Sequence, residues 1–225
     1  MGALGQLLEL LHDAHASVRT FEIEYQDWGR PPPSNDVIVS YADPGKPQVR
    51  WRGAGPWPKA ALSTRRIWLQ SPDLARVEIF TDQALVRLAV RNGSQWWRWD
   101  AEQGVIGGSA LPDPRGLPTL PAMLAMPMLD VRRLITAMWL EPAGVGERAG
   151  RRVLCARGRP RVQPPTSGPL HYELEFDAEH GSLLRRAEFD DGRCVWERLA
   201  AEVLYGADID RECFVFVAPD EDLAR

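Results

Sequence analysis

Between His171 and Ala200 the chain reads HYELEFDAEHGSLLRRAEFDDGRCVWERLA, an alternation of apolar and polar residues interrupted twice by turn formers. Tyr172, Leu174 and Phe176 alternate with Glu173 and Glu175, which is the period of a strand with one buried face. Glu179 to Gly181 and Asp190 to Gly192 supply the turns. The stretch therefore predicts three antiparallel strands, and a sheet with an inner face on which something must pack.

The same grammar recurs along the chain. Phe21, Ile23 and Tyr25 alternate with Glu22, Glu24 and Gln26, and DVIVSY and QVRW are short strand candidates. A meander follows over Arg66–Gln70, Arg76–Phe80, Leu85–Arg91 and Gln95–Asp100. Asn92-Gly93 predicts a type I′ hairpin turn, because both residues tolerate positive φ. That hairpin sets Val86, Leu88 and Val90 on one side, Trp97 and Trp99 on one face of the partner strand, and Trp96 on the other. A hairpin is expected around Ala149-Gly150, and FVFV at Phe214–Val217 reads as a short final strand. RPPPSND, GAGPWP and the arginine-bearing GRPRVQPPTSGP read as loops, since proline cannot donate to a ladder.

Two segments carry helical period. Leu4, Leu7, Leu8, Leu11 and Val18 form an apolar stripe, predicting a front helix over about residues 3–16. Val131, Leu134, Ile135, Met138 and Trp139 repeat at the same spacing behind the capping residue Asp130, predicting a second, inserted helix over about 130–140 that ends near Glu141-Pro142. Roughly ten strands in hairpin succession with two helices argue an α+β fold with a mostly antiparallel sheet, in one domain over residues 1–225. A doubly wound parallel sheet needs helices between most strands, and the pattern lacks them.

A net charge of -4 argues against nucleic acid as a partner, which calls for a basic stripe. Cys155, Cys194 and Cys213 are too few and too scattered for a disulfide framework or a zinc site. MGALGQLLELLHDAHA lacks a basic n-region and is interrupted by Glu9, so it reads neither as a secretory signal nor as a membrane span. The expected location is cytoplasmic, or exported if a leader has been removed, with no stable membrane insertion. No cofactor, metal or catalytic set is implied. GVGERA at Gly144–Ala149 follows a helical pattern and leads into a strand, the reverse of a dinucleotide-binding context. His12 and His15 have no completing ligands, and the arginine doublets Arg65-Arg66, Arg132-Arg133, Arg151-Arg152 and Arg185-Arg186 need not form patches, because adjacent strand residues point to opposite faces.

The front helix running into SVRTFEIEYQDW, the meander RRIWLQSPDLARVEIF leading to GSQWWRWD, and the closing HGSLLRRAEFDDGRCVWERLAAEVLYGADIDRECFVF together resemble the LolA/LolB-like superfamily, with its lipoprotein carriers and RseB-type and LppX-type members. The resemblance spans most of the chain as a pattern. It implies a strongly curved, mostly antiparallel sheet forming an incomplete β-barrel, helices packed in the open side, and an apolar cavity that in known relatives holds acyl chains or other hydrophobic groups.

Trp68, Trp97, Trp99 and Trp139, with Met123, Met126, Met128 and Met138, are the cavity candidates: methionine adapts to irregular apolar ligands and tryptophan offers a rigid wall, although a packed core uses the same residues. Met123–Met128, between Pro121 and Pro127, is the candidate lid. The expected function is non-enzymatic binding of a lipid or other hydrophobic small molecule, as a carrier. The alternative is a regulatory module of RseB type with a protein partner. An enzyme acting on a small apolar substrate has no motif in its support.

Overall fold

The computed structural model describes residues 2–17, 19–29, 37–43, 46–51, 62–70, 73–109, 138–161 and 170–219. Helix α1 (Ala3–Ser17) leads into β1 (Thr20–Gly29), and a separate hairpin pairs β2 (Val37–Asp43) with β3 (Lys46–Trp51). Then come β4 (Ser63–Gln70), β5 (Leu74–Thr81), β6 (Ala84–Asn92), β7 (Gln95–Asp100), β8 (Gly104–Ser109), β9 (Met138–Arg148), β10 (Arg151–Pro160), β11 (His171–Asp177), β12 (Leu183–Asp190) and β13 (Arg193–Tyr205). A 3-10 turn at Arg211–Phe214 follows, with the Asp210 side chain accepting from the Glu212 N–H.

Eleven strands form one sheet in the order β8-β7-β6-β5-β4-β1-β13-β12-β11-β10-β9. All its neighbours are antiparallel, and β1 joins the two halves by pairing with β4 on one side and β13 on the other. The sheet is not closed: β8 and β9 are its edges. Most connections are tight. Asp82-Gln83, Ala149-Gly150 and Asp191-Gly192 each place two consecutive residues at positive φ, the type I′ geometry that suits twisted antiparallel strands. The β6–β7 hairpin departs from expectation by one residue. Asn92 pairs with Gln95, so the loop is Gly93-Ser94, and of these Gly93 alone takes positive φ, at 61°, the type II′ pattern.

Directly opposed residues on antiparallel strands share a face, so the register assigns each side chain a side. On the inner face Phe21, Ile23 and Tyr25 of β1 meet Leu69 and Ile67 of β4, Ala75, Val77 and Ile79 of β5, and Ala200 and Val203 of β13 in one buried cluster. Helix α1 packs Leu7 and Leu11 on the other half of this face, against Met138, Ala156, Tyr172, Leu174, Phe176 and Leu183. A smaller core lies on the outer face, where Leu88, Val90 and Trp99 are covered by Phe216, and Phe214 is fully buried beside it. Arg76 and Asn92 hold this C-terminal segment by donating to the carbonyls of Cys213 and Phe214 at 3.1 and 3.4 Å.

Several expectations are corrected. The architecture is mostly sheet, with α1 the one α-helix among the described residues. The end of the expected second helix is strand: Met138, Trp139 and Leu140 pair with Pro160, Arg159 and Gly158, so β10 supplies hydrogen bonds that outweigh the local helical period. Residues 130–137 lie outside the described residues. Of GVGERA, Gly144–Arg148 lie on β9 itself and Ala149 in the turn after it, and Gly158–Pro160 of the expected loop belong to β10. FVFV is not a strand; Phe214 closes the 3-10 turn and Phe216 packs on the outer face.

Candidate ligand-binding face

The inner face is graded from apolar to charged. Its first rows, Tyr205–Phe21–Leu69–Ala75–Arg91 and Val203–Ile23–Ile67–Val77–Ala89–Arg98, are nearly all hydrocarbon across β13, β1, β4 and β5 and reach an arginine on β6 or β7. The next runs Ala200–Tyr25–Arg65–Ile79–Arg87–Asp100, and beyond it come Leu174–Arg186–Arg198–Asp27–Ser63 and Tyr172–Glu188–Trp196–Gly29. Gly29 has φ 98° and no room for a side chain, since an added Cβ would stand 2.5 Å from the Val195 carbonyl oxygen. Bare backbone therefore meets β13 beside Trp196.

Within the charged end, Arg198 donates to both oxygens of Asp27 at 2.6 Å each. Arg65 approaches the same carboxylate only to 3.6 Å, and its Nε is buried without a hydrogen-bond partner. Burial, and then the neighbouring Arg198 guanidinium, push Arg65 down from the ordinary arginine value to about 9. Arg186 stands 3.9 Å from Glu188, and its Nε is also buried and unpartnered. Trp196 lies in the next row, with the Arg198 and Arg186 guanidiniums 5.2 and 5.5 Å from its ring; Arg186 also covers Tyr172 and Arg198 covers Tyr25. Burial pushes Glu188 and Tyr172 up from their ordinary values. Tyr25 is raised for the same reason, and its hydroxyl donates to the Leu183 carbonyl at 2.9 Å.

The outer face shows what a satisfied arginine looks like. Arg185 donates to Glu197 at 2.7 Å, Glu173 at 3.1 Å and Glu175 at 3.3 Å, and Arg148 donates to Glu175 at 2.9 Å. Both doublets on central strands split across the sheet: Arg65 and Arg186 go inward, while Arg66 pairs with Glu24 and Arg185 joins this network on the outside. The sequence offered one signal for this, the strand parity of each doublet, but not which member is inside.

The predicted cavity residues go to different places. Trp97 and Trp99 come together as expected, opposite Val90 and Leu88, but on the outer face, where Trp97 stacks on Phe216 at 6.0 Å. Trp68, opposite Glu22 and Arg76, shares that outer face. Met138 is buried on the inner face against α1 and Leu174. Its neighbour Trp139 points the other way, is 61% exposed and is covered by Arg161 at 3.8 Å. Met123, Met126 and Met128, with the candidate lid, lie outside the described residues. Trp196, which the sequence did not single out, is the inner-face tryptophan of the charged end. Among the described residues, no group of three His, Cys, Asp or Glu side chains is placed to hold a metal ion.

No protein-family model matches the sequence, and no curated protein sequence does either. Solved structures match over nearly the whole chain. MucB in complex with MucA from Pseudomonas aeruginosa superposes with a TM-score of 0.57 at 16% identity, covering 96% of this chain and 62% of that one. A second crystal structure of MucB gives 0.50 at 17% identity, covering 95% and 62%. An uncharacterized conserved protein from Thermus thermophilus gives 0.50 at 10% identity, covering 96% and 95%. The chain thus spans about three fifths of the MucB chains it matches. Among the described residues no helix is long and apolar enough to cross a membrane. The cytoplasmic location expected from the sequence gains no support from these matches. An unclosed antiparallel sheet with a helix against one face is the fold the chain shares with MucB at these TM-scores, an RseB-like fold of the kind the sequence resemblance predicts.

Proposed function

We propose that the protein is a non-enzymatic binder of a lipid or similarly apolar molecule, held on the inner face of the sheet, and that it acts as a carrier. The observation that carries this reading is the continuity of that face. Apolar side chains run without a break across β13, β1, β4 and β5, with Met138 and α1 on the adjoining half. An unclosed sheet offers hydrocarbon a way in between its edges, and burial contributes about 25 cal/mol per Å² of apolar area, less the cost of ordering. The fold shared with MucB supports a binding role of some kind.

Native mass spectrometry of the purified protein, followed by organic extraction, tests the reading. A stoichiometric apolar molecule is the expected result. A clean apo mass, together with no change in tryptophan emission on adding fatty acids or phospholipids, would overturn it. Trp196 is the reporter to watch, because Trp68, Trp97 and Trp99 lie on the other face.

A second reading, a regulatory module that docks a protein, is favoured by the β9 edge. Trp139 and Val145 on this edge strand are 61% and 63% exposed, and unpaired strand edges accept a further strand. The matched MucB was solved bound to MucA. A Val145→Lys change that abolished partner binding while leaving lipid binding intact would separate the two readings.

A further inference from the structure

Three of the inward arginines, Arg65, Arg186 and Arg198, do not serve the fold in the way Arg185 does. Arg185 is met by three carboxylates on the outer face, whereas Arg65, Arg186 and Arg198 face only Asp27 and Glu188. Arg198 uses up both oxygens of Asp27, so Arg65 is left with a distant share of a committed carboxylate and Arg186 with a contact at 3.9 Å. The buried Nε groups of Arg65 and Arg186 have no hydrogen-bond partner, yet each side chain keeps 20% of its surface open. A buried donor without an acceptor is costly, and a guanidinium carries several in one plane, a shape that matches a phosphate or carboxylate. The Trp196 ring, within 5.5 Å of the Arg186 guanidinium and 5.2 Å of the Arg198 one, helps to hold two of those planes in place.

We propose that this charged end of the inner face, Arg65, Arg186 and Arg198 around Asp27, takes the anionic head of an amphiphile, a phosphate or carboxylate, while its hydrocarbon inserts beside the adjoining rows of Phe21, Ile23, Ile67 and Val77, which are 1–3% exposed in the ligand-free structure and part to admit it. The inference rests on the inner face being the ligand site, and it adds the chemical class. The rows are adjacent on one face, so head and tail are satisfied by a single molecule. Asp27 orients Arg198 and limits the net positive charge, so a singly or doubly charged head is better matched than a polyanion.

Binding to the full chain is measured by titration calorimetry for four probes: dodecyl phosphate, dodecanoate, dodecyl maltoside and inorganic phosphate, each below its micellar concentration where it has one, at low and high salt. The two anionic amphiphiles are expected to bind about 10-fold or more tighter than the maltoside, with the advantage shrinking in salt. Arg65→Met and Arg186→Met are each expected to weaken the anionic probes about 10-fold and to leave the maltoside within about 2-fold. Equal affinity for neutral and anionic amphiphiles in the parent protein overturns the inference and leaves the carrier reading standing. Binding of none of the three amphiphiles overturns both. Inorganic phosphate binding as tightly as dodecyl phosphate assigns the arginines to a free anion and overturns the amphiphile. The comparison among probes uses the parent protein, so it holds even where a variant folds poorly.

Discussion

Replacing Arg65 with methionine is expected to make the ligand-free protein more stable. Burial and the Arg198 charge lower Arg65 from the ordinary arginine value to about 9. At about 1.36 kcal/mol per pH unit, that places an upper bound of ~5 kcal/mol on the penalty for holding the charged form in the fold. The net gain is smaller, because the side chain keeps 20% of its surface in water and part of its packing is lost with the guanidinium. Methionine retains an unbranched apolar stem, and exchanging a buried, poorly paired ion for an apolar group of similar size is neutral or stabilising by about 1–4 kcal/mol. A gain of about 1–2 kcal/mol corresponds to roughly 2–8 °C in Tm for a chain of this size. The sign of the pH dependence follows from a base whose folded pKa is lowered. The penalty is present in full below about 9 and is relieved as pH rises from there toward the ordinary arginine value. The stability difference between variant and parent is therefore expected to be flat over roughly pH 6–8 and to narrow above about 9. Urea unfolding followed by tryptophan fluorescence, across that pH range, measures it. A variant less stable than its parent by 1 kcal/mol or more (about fivefold in the folding equilibrium), with an unchanged m-value, would refute the reasoning, because the Asp27 attraction would then exceed the penalty. Read with the binding titrations, greater stability and weaker anion affinity in the same variant identify a site that trades folding energy for recognition.

Three further perturbations test other parts of the structure. Phe214→Ala removes a fully buried ring under the C-terminal segment and is expected to cost about 3–5 kcal/mol, read by denaturant unfolding, with a shift in tryptophan emission as the Trp97–Phe216 stack loosens. Asp100→Asn breaks the 2.7 Å bond from Arg87 and weakens the acceptor for the Glu102 N–H, at about 1–2 kcal/mol near neutral pH. Burial pushes Asp100 up, but the Arg87 and backbone hydrogen bonds outweigh it and leave the group below 3.8; its contribution is therefore full above that value and lost as pH falls below it, so parent and variant converge on acidification. Gly107→Ala would place a Cβ 2.7 Å from Trp97 Cδ1 and is expected to cost about 1–3 kcal/mol, measured as a lowered Tm.

Strands were legible where their information is local. The alternation of Phe21, Ile23 and Tyr25, or of Tyr172, Leu174 and Phe176, marks one face buried whatever lies across from it, and the turns at Glu179–Gly181 and Asp190–Gly192 mark where the chain reverses. β8 went unread because GVIGGS has three glycines and no clear alternation; it is strand because β7 offers it a partner. β9 was misread at its start because Met138 and Trp139 complete a helical stripe, yet pairing with β10 sends those neighbours to opposite faces. FVFV had the composition of a strand, but the structure uses Phe214 and Phe216 to cover the outer side of β6 and β7.

What the sequence alone determined is which residues share a side of each strand, because that follows from a period of two. It placed Trp97 with Trp99 on one face of their strand, and it required Arg65 and Arg66 to part company. Which side is the inner one was decided only by tertiary structure. α1 packs Leu7 and Leu11 on one face, while the C-terminal turn covers part of the other, and both contacts join residues far apart in the chain. The same distant pairings, β1 with β4 and with β13, bring Arg65, Asp27 and Arg198 together from three strands. No local pattern encodes such a cluster, because each strand carries only one or two of its members and the pairing register aligns them.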